Sequence, residues 1–150
     1  MKNLVDEYIK VRLEFIEIVN KFPENKRGEI LFDKWSLKDT IAHLSGWAAH
    51  QIEALEDIKN NKVPKYPGHS KDYNNNEVSR RSKWSWKKVY KEFISCSNQL
   101  VNKYSHLPKS LVNKRIWPEK RFTPRIYFEF EIEHYTKTHL PQIKKILYKF

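Results

Sequence analysis

Two separate stretches of the chain carry side chains whose types and spacing suit catalysis or metal binding. His43, Trp47 and His50 follow one another at intervals of four and three residues, so an α-helix would place them on one face. Tyr135 and His139 are four residues apart and would share a face of another helix. Imidazoles act as general bases or ligate divalent metals, and a tyrosine hydroxyl can donate a hydrogen bond to a leaving group. We therefore expect these residues to line a polar site between two helices.

His134 is the residue that fits a metal site of this kind least well. It precedes His139 by five residues, and at about 100° of rotation per residue an α-helix would turn the two imidazoles to different faces. The spacing therefore argues against both being ligands on one helix face. Pro141, two residues after His139, lacks a backbone N–H and predicts a kink at this place in the helix.

The residue types leave three interpretations of these side chains open. The first is a hydrolytic site, in which one imidazole takes a proton from water and the tyrosine assists the leaving group. The second is a site for a divalent metal, zinc or nickel. The third is a set of hydrogen-bonded core histidines without a ligand. The first assigns catalysis to His43, Tyr135 and His139 and substrate contacts to Trp47, His50 and His134; the second takes His43 and His139 as ligands with His134 or Tyr135.

Apolar residues that recur at steps of three and four predict four amphipathic helices, and capping residues indicate where two of them begin. Ser36, with Asp39 three residues later, forms a capping-box pattern. Thr123 followed by Pro124 is a favoured helix start. Residues 61–83 contain two prolines, a glycine and a polar tract, and are predicted to form a long loop. The predicted helices cover 3–22, 36–60, 85–104 and the segment that begins at 123.

These elements predict an all-α protein, a four-helix bundle in a single domain over residues 1–150, with a long crossover connection between helices 2 and 3. No apolar run approaches the roughly 20 residues that span a bilayer. The first ten residues are unlike a signal peptide, and the single cysteine, Cys96, has no partner for an internal disulfide. We therefore expect a cytoplasmic protein without a membrane partner, present as a monomer or a homodimer.

The net charge of +11 is concentrated in one part of the chain. Residues 78–125 contain thirteen Lys and Arg and only two acidic residues, and the stretches 80–91 and 109–125 mix these cations with aromatic residues. Such mixing is typical of nucleic-acid surfaces, and also of solvated helix faces on which lysines lie outside and rings pack inside. A weak, salt-sensitive affinity for nucleic acid is therefore an alternative prediction.

Three motifs resemble those of a known family. The segment WSLKDTIAHLSGW (35–47) is similar to the second-helix signature of the DinB-like four-helix bundle superfamily, and HLPQI (139–143) to the end of its fourth helix. Within that superfamily, NNNEVSRRSKWSWKKVYKEF (74–93) resembles the ClbS/DfsB branch. The resemblance spans residues 30–147, so it covers most of the chain.

The resemblance implies two different functions. Many DinB-like proteins bind a metal through one histidine of the second helix and two of the fourth; His43 and His139 match the first and last, whereas Tyr135 takes the middle position and His134 lies one residue out of register. The ClbS/DfsB branch implies a metal-free protein that binds, and in some cases hydrolyses, a reactive small molecule in self-resistance. The leading hypothesis is therefore a small-molecule-binding protein with hydrolase or resistance activity toward a reactive or xenobiotic compound, with a metal-dependent transferase or hydrolase as the alternative.

Overall fold

The structure, a computed structural model, describes residues 1–150 and consists of helices joined by short irregular segments. The predicted all-α class is confirmed: no strand forms, and the only β-type pairing is an isolated bridge between Phe32 and Trp35. None of the helices combines the length and apolar character needed to cross a membrane. The elements in chain order are α1 (Lys2–Lys21), a 3₁₀ turn (Glu24–Lys26), α2 (Leu37–Lys59), α3 (Ser70–Arg80), α4 (Trp86–Ser105), α5 (Lys109–Val112), α6 (Pro124–Glu133), a π-helix (His134–His139) and α7 (Leu140–Leu147).

The helix starts predicted from capping residues form as expected. The Ser36 side chain accepts a hydrogen bond from the backbone N–H of Asp39 at 3.1 Å, and the Asp39 carboxylate accepts one from the N–H of Ser36 at 3.0 Å. Thr123 caps α6 by accepting from the N–H of Ile126 at 3.2 Å, with Pro124 as the first helical residue. These caps satisfy N–H groups that have no partner inside the helix, and so fix where α2 and α6 begin.

The long loop predicted over residues 61–83 is wrong in part, because Ser70–Arg80 forms α3. This helix has no apolar stripe and buries only Glu77, so periodicity gives no signal for it. Its order comes from a contact with α2 and from its own C-terminal turn: the Tyr73 hydroxyl donates to the Gly46 carbonyl of α2 at 2.8 Å, and Glu77 accepts from the C-cap residue Arg81 at 2.6 Å. Arg81 also donates to Glu92 of α4 at 2.5 Å.

Gly46 allows α3 to lie close against α2. A side-chain carbon at this position would come within 2.5 Å of the Glu77 Cγ, so any larger residue would force the two helices apart. The close approach places the polar residues of α3 beside the middle of α2, where His43 and Trp47 are located.

The fourth predicted helix is not continuous. It runs as α6, a single π-helical turn and α7, and the backbone N–H of Leu140 donates to the carbonyl of Tyr135 five residues earlier. Pro141 cannot donate to the carbonyl of Lys137, so the regular hydrogen-bond ladder is already broken at this point. The irregularity predicted from Pro141 therefore exists, but it takes the form of a widened turn before the proline.

A continuous apolar core holds these elements together. α2 packs along α4, and α1 contacts α4, α6, the π-helix and α7. Stacked rings occupy the centre, where Tyr104 lies 3.8 Å from Phe128 between ring centroids and Phe128 lies 5.2 Å from Tyr8. Within this packing, side chains of α2 reach those of the π-helix, and these side chains form a polar site.

Candidate metal centre

Three histidines converge where α2 faces the π-helix. His43 comes from α2, and His134 and His139 from the two ends of the π-helix. One ring nitrogen of each can be chosen so that all three lie within 4.8 Å of one another. The ring centroid of His43 is 4.9 Å from that of His139 and 6.1 Å from that of His134. The three residues could hold a single metal ion between them.

The π-helix is what brings His134 into this cluster. The expectation that a spacing of five would separate His134 from His139 is wrong, because the segment between them is not an α-helix. A π-turn contains more residues than an α-turn, so residues five apart come close to one face, and the two imidazoles stack with their centroids 5.4 Å apart. π-turns of this kind are frequent at functional sites.

The chemical state of the cluster suits metal binding. Burial, together with the neighbouring imidazoles, holds the pKa of His43 well below its ordinary value. Burial also lowers the pKa of His139 to about 3 and lowers that of His134. All three rings are therefore neutral at pH 7, which is the form that ligates a metal.

The cluster also contains buried polar atoms without partners. Nδ1 of His43 and both ring nitrogens of His139 receive no hydrogen bond from any protein group. Buried polar atoms are nearly always paired, and leaving one unpaired costs about 1–3 kcal/mol. These unpaired nitrogens fit the donor set of a divalent metal, whereas the interpretation of the histidines as hydrogen-bonded core residues stays a prediction.

A cleft of about 350 Å³, which we call the histidine cleft, gives access to this cluster. The Trp35 ring closes one side and packs on His43 at 4.6 Å between centroids. Other polar side chains of the cleft come from the segment before α2, from the start of α2, from α3 and from the region of the π-helix, and they offer hydrogen-bonding groups to a bound molecule. They include Ser70, Lys71, Asn74, Asn75, Thr138 and Gln142.

The structure does not bring Tyr135 to the histidines. Its ring projects toward α1, where it packs edge-on against Tyr8 at 5.8 Å and Phe15 at 5.1 Å, and it is not part of the histidine cleft. Burial raises the pKa of its hydroxyl well above the ordinary value. In this position Tyr135 serves the core, and the predicted meeting of Tyr135 with His43 and His139 does not occur.

Trp47 and His50 point away from the cluster, and both have hydrogen-bond partners. The Trp47 indole N–H donates to Asn74 at 2.6 Å. Nδ1 of His50 shares a hydrogen bond with the Tyr127 hydroxyl at 2.7 Å, and its Nε2 shares one with the Lys65 carbonyl at 3.0 Å. His50 is thus a hydrogen-bonded structural histidine, whereas Trp47 lines a second cleft.

This second cleft, which we call the aromatic cleft, has a volume of about 580 Å³ and lies next to the first. Ser70, His134 and Thr138 line both clefts. Its lining includes Glu131, a buried acid that sequence reasoning missed. The available signal was a carboxylate beside the apolar position of Ile132, but a single charged residue in a helix usually faces solvent.

Glu131 ends a buried hydrogen-bonded chain. The Tyr104 hydroxyl donates to the Gln51 carbonyl oxygen at 2.7 Å, and the Gln51 amide donates to Oε2 of Glu131 at 2.8 Å. Oε1 of Glu131 has no partner. Burial raises the pKa of Glu131 from 4.5 to about 7, although the hydrogen bond from Gln51 acts in the opposite direction.

This raised pKa predicts how the Glu131→Gln variant responds to pH. The folded protein keeps the Glu131 proton up to a pH of about 7, whereas the unfolded chain loses it near 4.5, so this residue makes the wild type progressively less stable between these values. We expect the free energy of unfolding of Glu131→Gln minus that of the wild type to increase by about 3 kcal/mol between pH 4 and pH 8. Urea unfolding at a series of pH values measures this difference, in which the other titrating groups cancel; a flat difference would contradict the prediction.

The two basic stretches have many of their rings covered by the chain's own groups. Lys88 lies 4.0 Å from the centroid of Trp84, and Arg27 lies 4.8 Å from that of Trp86. In the second stretch, Trp117 is buried and donates to the Pro64 carbonyl at 2.8 Å. These contacts fit solvated helix faces over packed rings, and nucleic-acid affinity stays a prediction.

Comparison of the chain with protein-family models, with curated proteins and with solved structures gave no match. The geometry described above therefore carries the functional argument, and the resemblance to the DinB-like superfamily and its ClbS/DfsB branch stays a prediction.

Proposed function

We propose that this protein is a metal-dependent enzyme, a hydrolase or transferase, that acts on a small molecule bound beside a three-histidine centre. The observation that carries the proposal is the convergence of His43, His134 and His139, whose ligand atoms lie within 4.8 Å of one another beside an accessible cleft. Two of these residues lie at the ends of a π-helix, and π-turns are frequent at functional sites, which supports a functional role for the cluster.

The three histidine ligands limit which metals would bind and indicate what the metal would do. Three imidazoles suit zinc or nickel and leave a coordination position free, as in catalytic rather than structural sites. When bound, such an ion would act as a Lewis acid toward a substrate oxygen and would make a bound water acidic near neutral pH. The protein residues would hold the ion and orient the small molecule around it.

Two features of the chain would contribute to that orientation. The Trp35 ring packs on His43 at 4.6 Å and limits the rotation of this imidazole. The amides of Asn74 and Asn75 line the same cleft and can hydrogen-bond to polar groups of a substrate. Trp47 is bonded to Asn74 at 2.6 Å, which links the walls of the two clefts.

A metal-free function of the ClbS/DfsB kind is the second candidate. One observation favours it: His134 is only half-buried and lines both clefts, so its imidazole can reach a water or a bound compound without a metal. His43 and His139 would be weak general bases, because burial holds their pKa values well below the ordinary value. In this version a resistance function would follow from sequestering the compound, or from hydrolysing it with His134 as the general base.

Metal analysis of the untagged protein separates these two functions. We expect about one equivalent of divalent metal per chain after purification or after adding zinc or nickel, since three neutral imidazoles already face one another. Hydrolysis of an activated ester, such as 4-nitrophenyl acetate, should fall on chelation and return when the metal is restored. If no metal is retained under any of these conditions, the metal-dependent proposal is wrong and the metal-free function is favoured.

A further inference from the structure

The aromatic cleft contains a buried acid whose charge no cation balances. Glu131 is only 3% exposed, lines the cleft and forms no ion pair, and its Oε1 accepts no hydrogen bond. The other acid of this cleft, Glu133, is exposed and is paired with Lys137 at 3.3 Å. In a chain whose net charge is +11, the interior of this cleft is thus locally acidic.

The walls around this acid are aromatic. Ring contacts join them into a continuous surface: Tyr66 lies 5.1 Å from Trp117 between centroids, and Trp117 lies 6.1 Å from Tyr127. Flat apolar walls of this kind favour a planar ring as the occupant, and a volume of about 580 Å³ suits a small molecule. The aromatic residues that line the cleft are Trp47, Tyr66, Trp117, Phe122, Tyr127 and Phe130.

The rings of the cleft also attract cations, as the chain itself shows. Lys120 lies over Tyr66 at 4.8 Å, and Arg121 lies over Phe122 at 5.5 Å. Neither cation lines the cleft. A ligand cation inside the cleft would lie against the aromatic rings and would be attracted by the charge of the buried Glu131 carboxylate through surroundings of low dielectric. These two attractions act in the same direction.

From these observations we propose that the aromatic cleft is the substrate-binding site and that the substrate is a small aromatic amine, with its ring among the aromatic walls and its ammonium group directed toward the buried carboxylate of Glu131. A molecule placed there would lie beside the histidine centre, because His134 lines both clefts. That the amine is a substrate rests on the proposed function; that it binds in the aromatic cleft does not.

The alternatives of other charge fit this cleft less well. An aromatic anion would bring a second negative charge next to Glu131 in surroundings of low dielectric, where repulsion is strong. A neutral ring could pack against the walls, but it would leave the buried carboxylate without a charged partner. For ligands that share one ring system, we therefore expect the amine to bind most tightly, the alcohol less tightly and the acid least tightly.

Three indoles of nearly equal size test this ordering: tryptamine, tryptophol and indole-3-acetate. We expect calorimetry on the metal-free protein at pH 8 to give about tenfold tighter binding of tryptamine than of tryptophol, with indole-3-acetate weakest. Glu131→Gln should abolish the preference for the amine and keep tryptophol binding, which also shows that the variant is folded. Glu133→Gln removes an equal charge from the same cleft but from an ion pair on its rim, and it should keep the preference.

The inference is overturned if tryptamine binds no better than tryptophol, or if the preference survives in Glu131→Gln. A chelator keeps the protein metal-free in all of these measurements. The result therefore does not depend on whether the three histidines bind a metal. Amine binding without any metal affinity would support the cleft proposal and contradict the proposed function. Metal binding without an amine preference would support the proposed function and contradict the cleft proposal.

Discussion

Replacing His43 or His139 by alanine is expected to lower the affinity of the protein for zinc or nickel by at least about a hundredfold, since even residues that only support a metal ligand contribute ten- to a hundredfold. Each residue supplies one of three nitrogen ligands, and no other His, Cys, Asp or Glu belongs to the cluster. His134→Ala should have an effect in the same direction, because it also leaves only two imidazoles. Competition with a chromophoric chelator measures these affinities directly.

Two histidines outside the cluster provide matched controls. His106 is exposed at the C-terminal end of α4, and His50 has hydrogen-bond partners on both ring nitrogens. Alanine at either position should leave the metal affinity within about twofold of the wild type. A metal that stabilises the wild type against heat should also fail to stabilise the His43 and His139 variants. Unchanged affinity in the His43 and His139 variants would show that the metal is bound elsewhere, and equal losses in the control variants would show that the effect is not specific to the cluster; either result would contradict a metal centre at these histidines.

The parts of the fold that sequence predicted are those that local chemistry determines. Ser36 and Thr123 act within one helical turn, through a side chain and backbone groups a few residues away, so their position in the sequence is sufficient to locate the helix starts. The apolar stripes of α1, α2 and α4 follow the same logic, because each helix buries one face. The predicted helix ends accordingly agree closely with those observed.

α3 could not be predicted because its stability comes from its neighbours. Its sequence is mostly polar and has no apolar stripe. Two of the contacts that order it join residues 27 positions apart, and others are the ion pairs of Arg81. Local propensity gives little information about such a helix, and the two prolines and Gly68 before it favour a loop. The polar lining of the histidine cleft was missed together with this helix.

The site was predicted in part. The extra residue of the π-turn explains why the structure has His134, and not Tyr135, beside His43 and His139. His43 and His139 were identified correctly as neighbours, because each lies on the buried stripe of its helix. An unbroken α-helix would place Tyr135 beside His139, and it would also turn His134 away from His139, so the sequence left His134 and Tyr135 as alternative third ligands. A π-turn adds a residue to a helix without changing its apolar composition, so no hydrophobic period reveals it.

Deleting a single residue should remove this irregularity and leave the metal centre intact. Without Thr136, an exposed residue of the π-helix, His134 and His139 would be four residues apart, which is the spacing that places two side chains on one face of an α-helix. The residues before and after the turn can then keep their present positions. We expect the deletion variant to bind zinc or nickel within about tenfold of the wild-type affinity, and to unfold cooperatively at a similar or higher temperature.

The same deletion made outside the π-helix should have the opposite result. Glu129 is also exposed, but it lies in α6, so its removal turns every later residue of the helix by about 100° relative to the earlier ones. Phe128 and Ile132, both buried, could then no longer face the same core, and we expect loss of several kcal/mol of stability along with loss of metal binding. Calorimetric unfolding and chelator competition on the two variants compare them directly. If deletion of Thr136 is as damaging as deletion of Glu129, the widened turn does more than correct the register of His134, and this account of the π-helix is wrong.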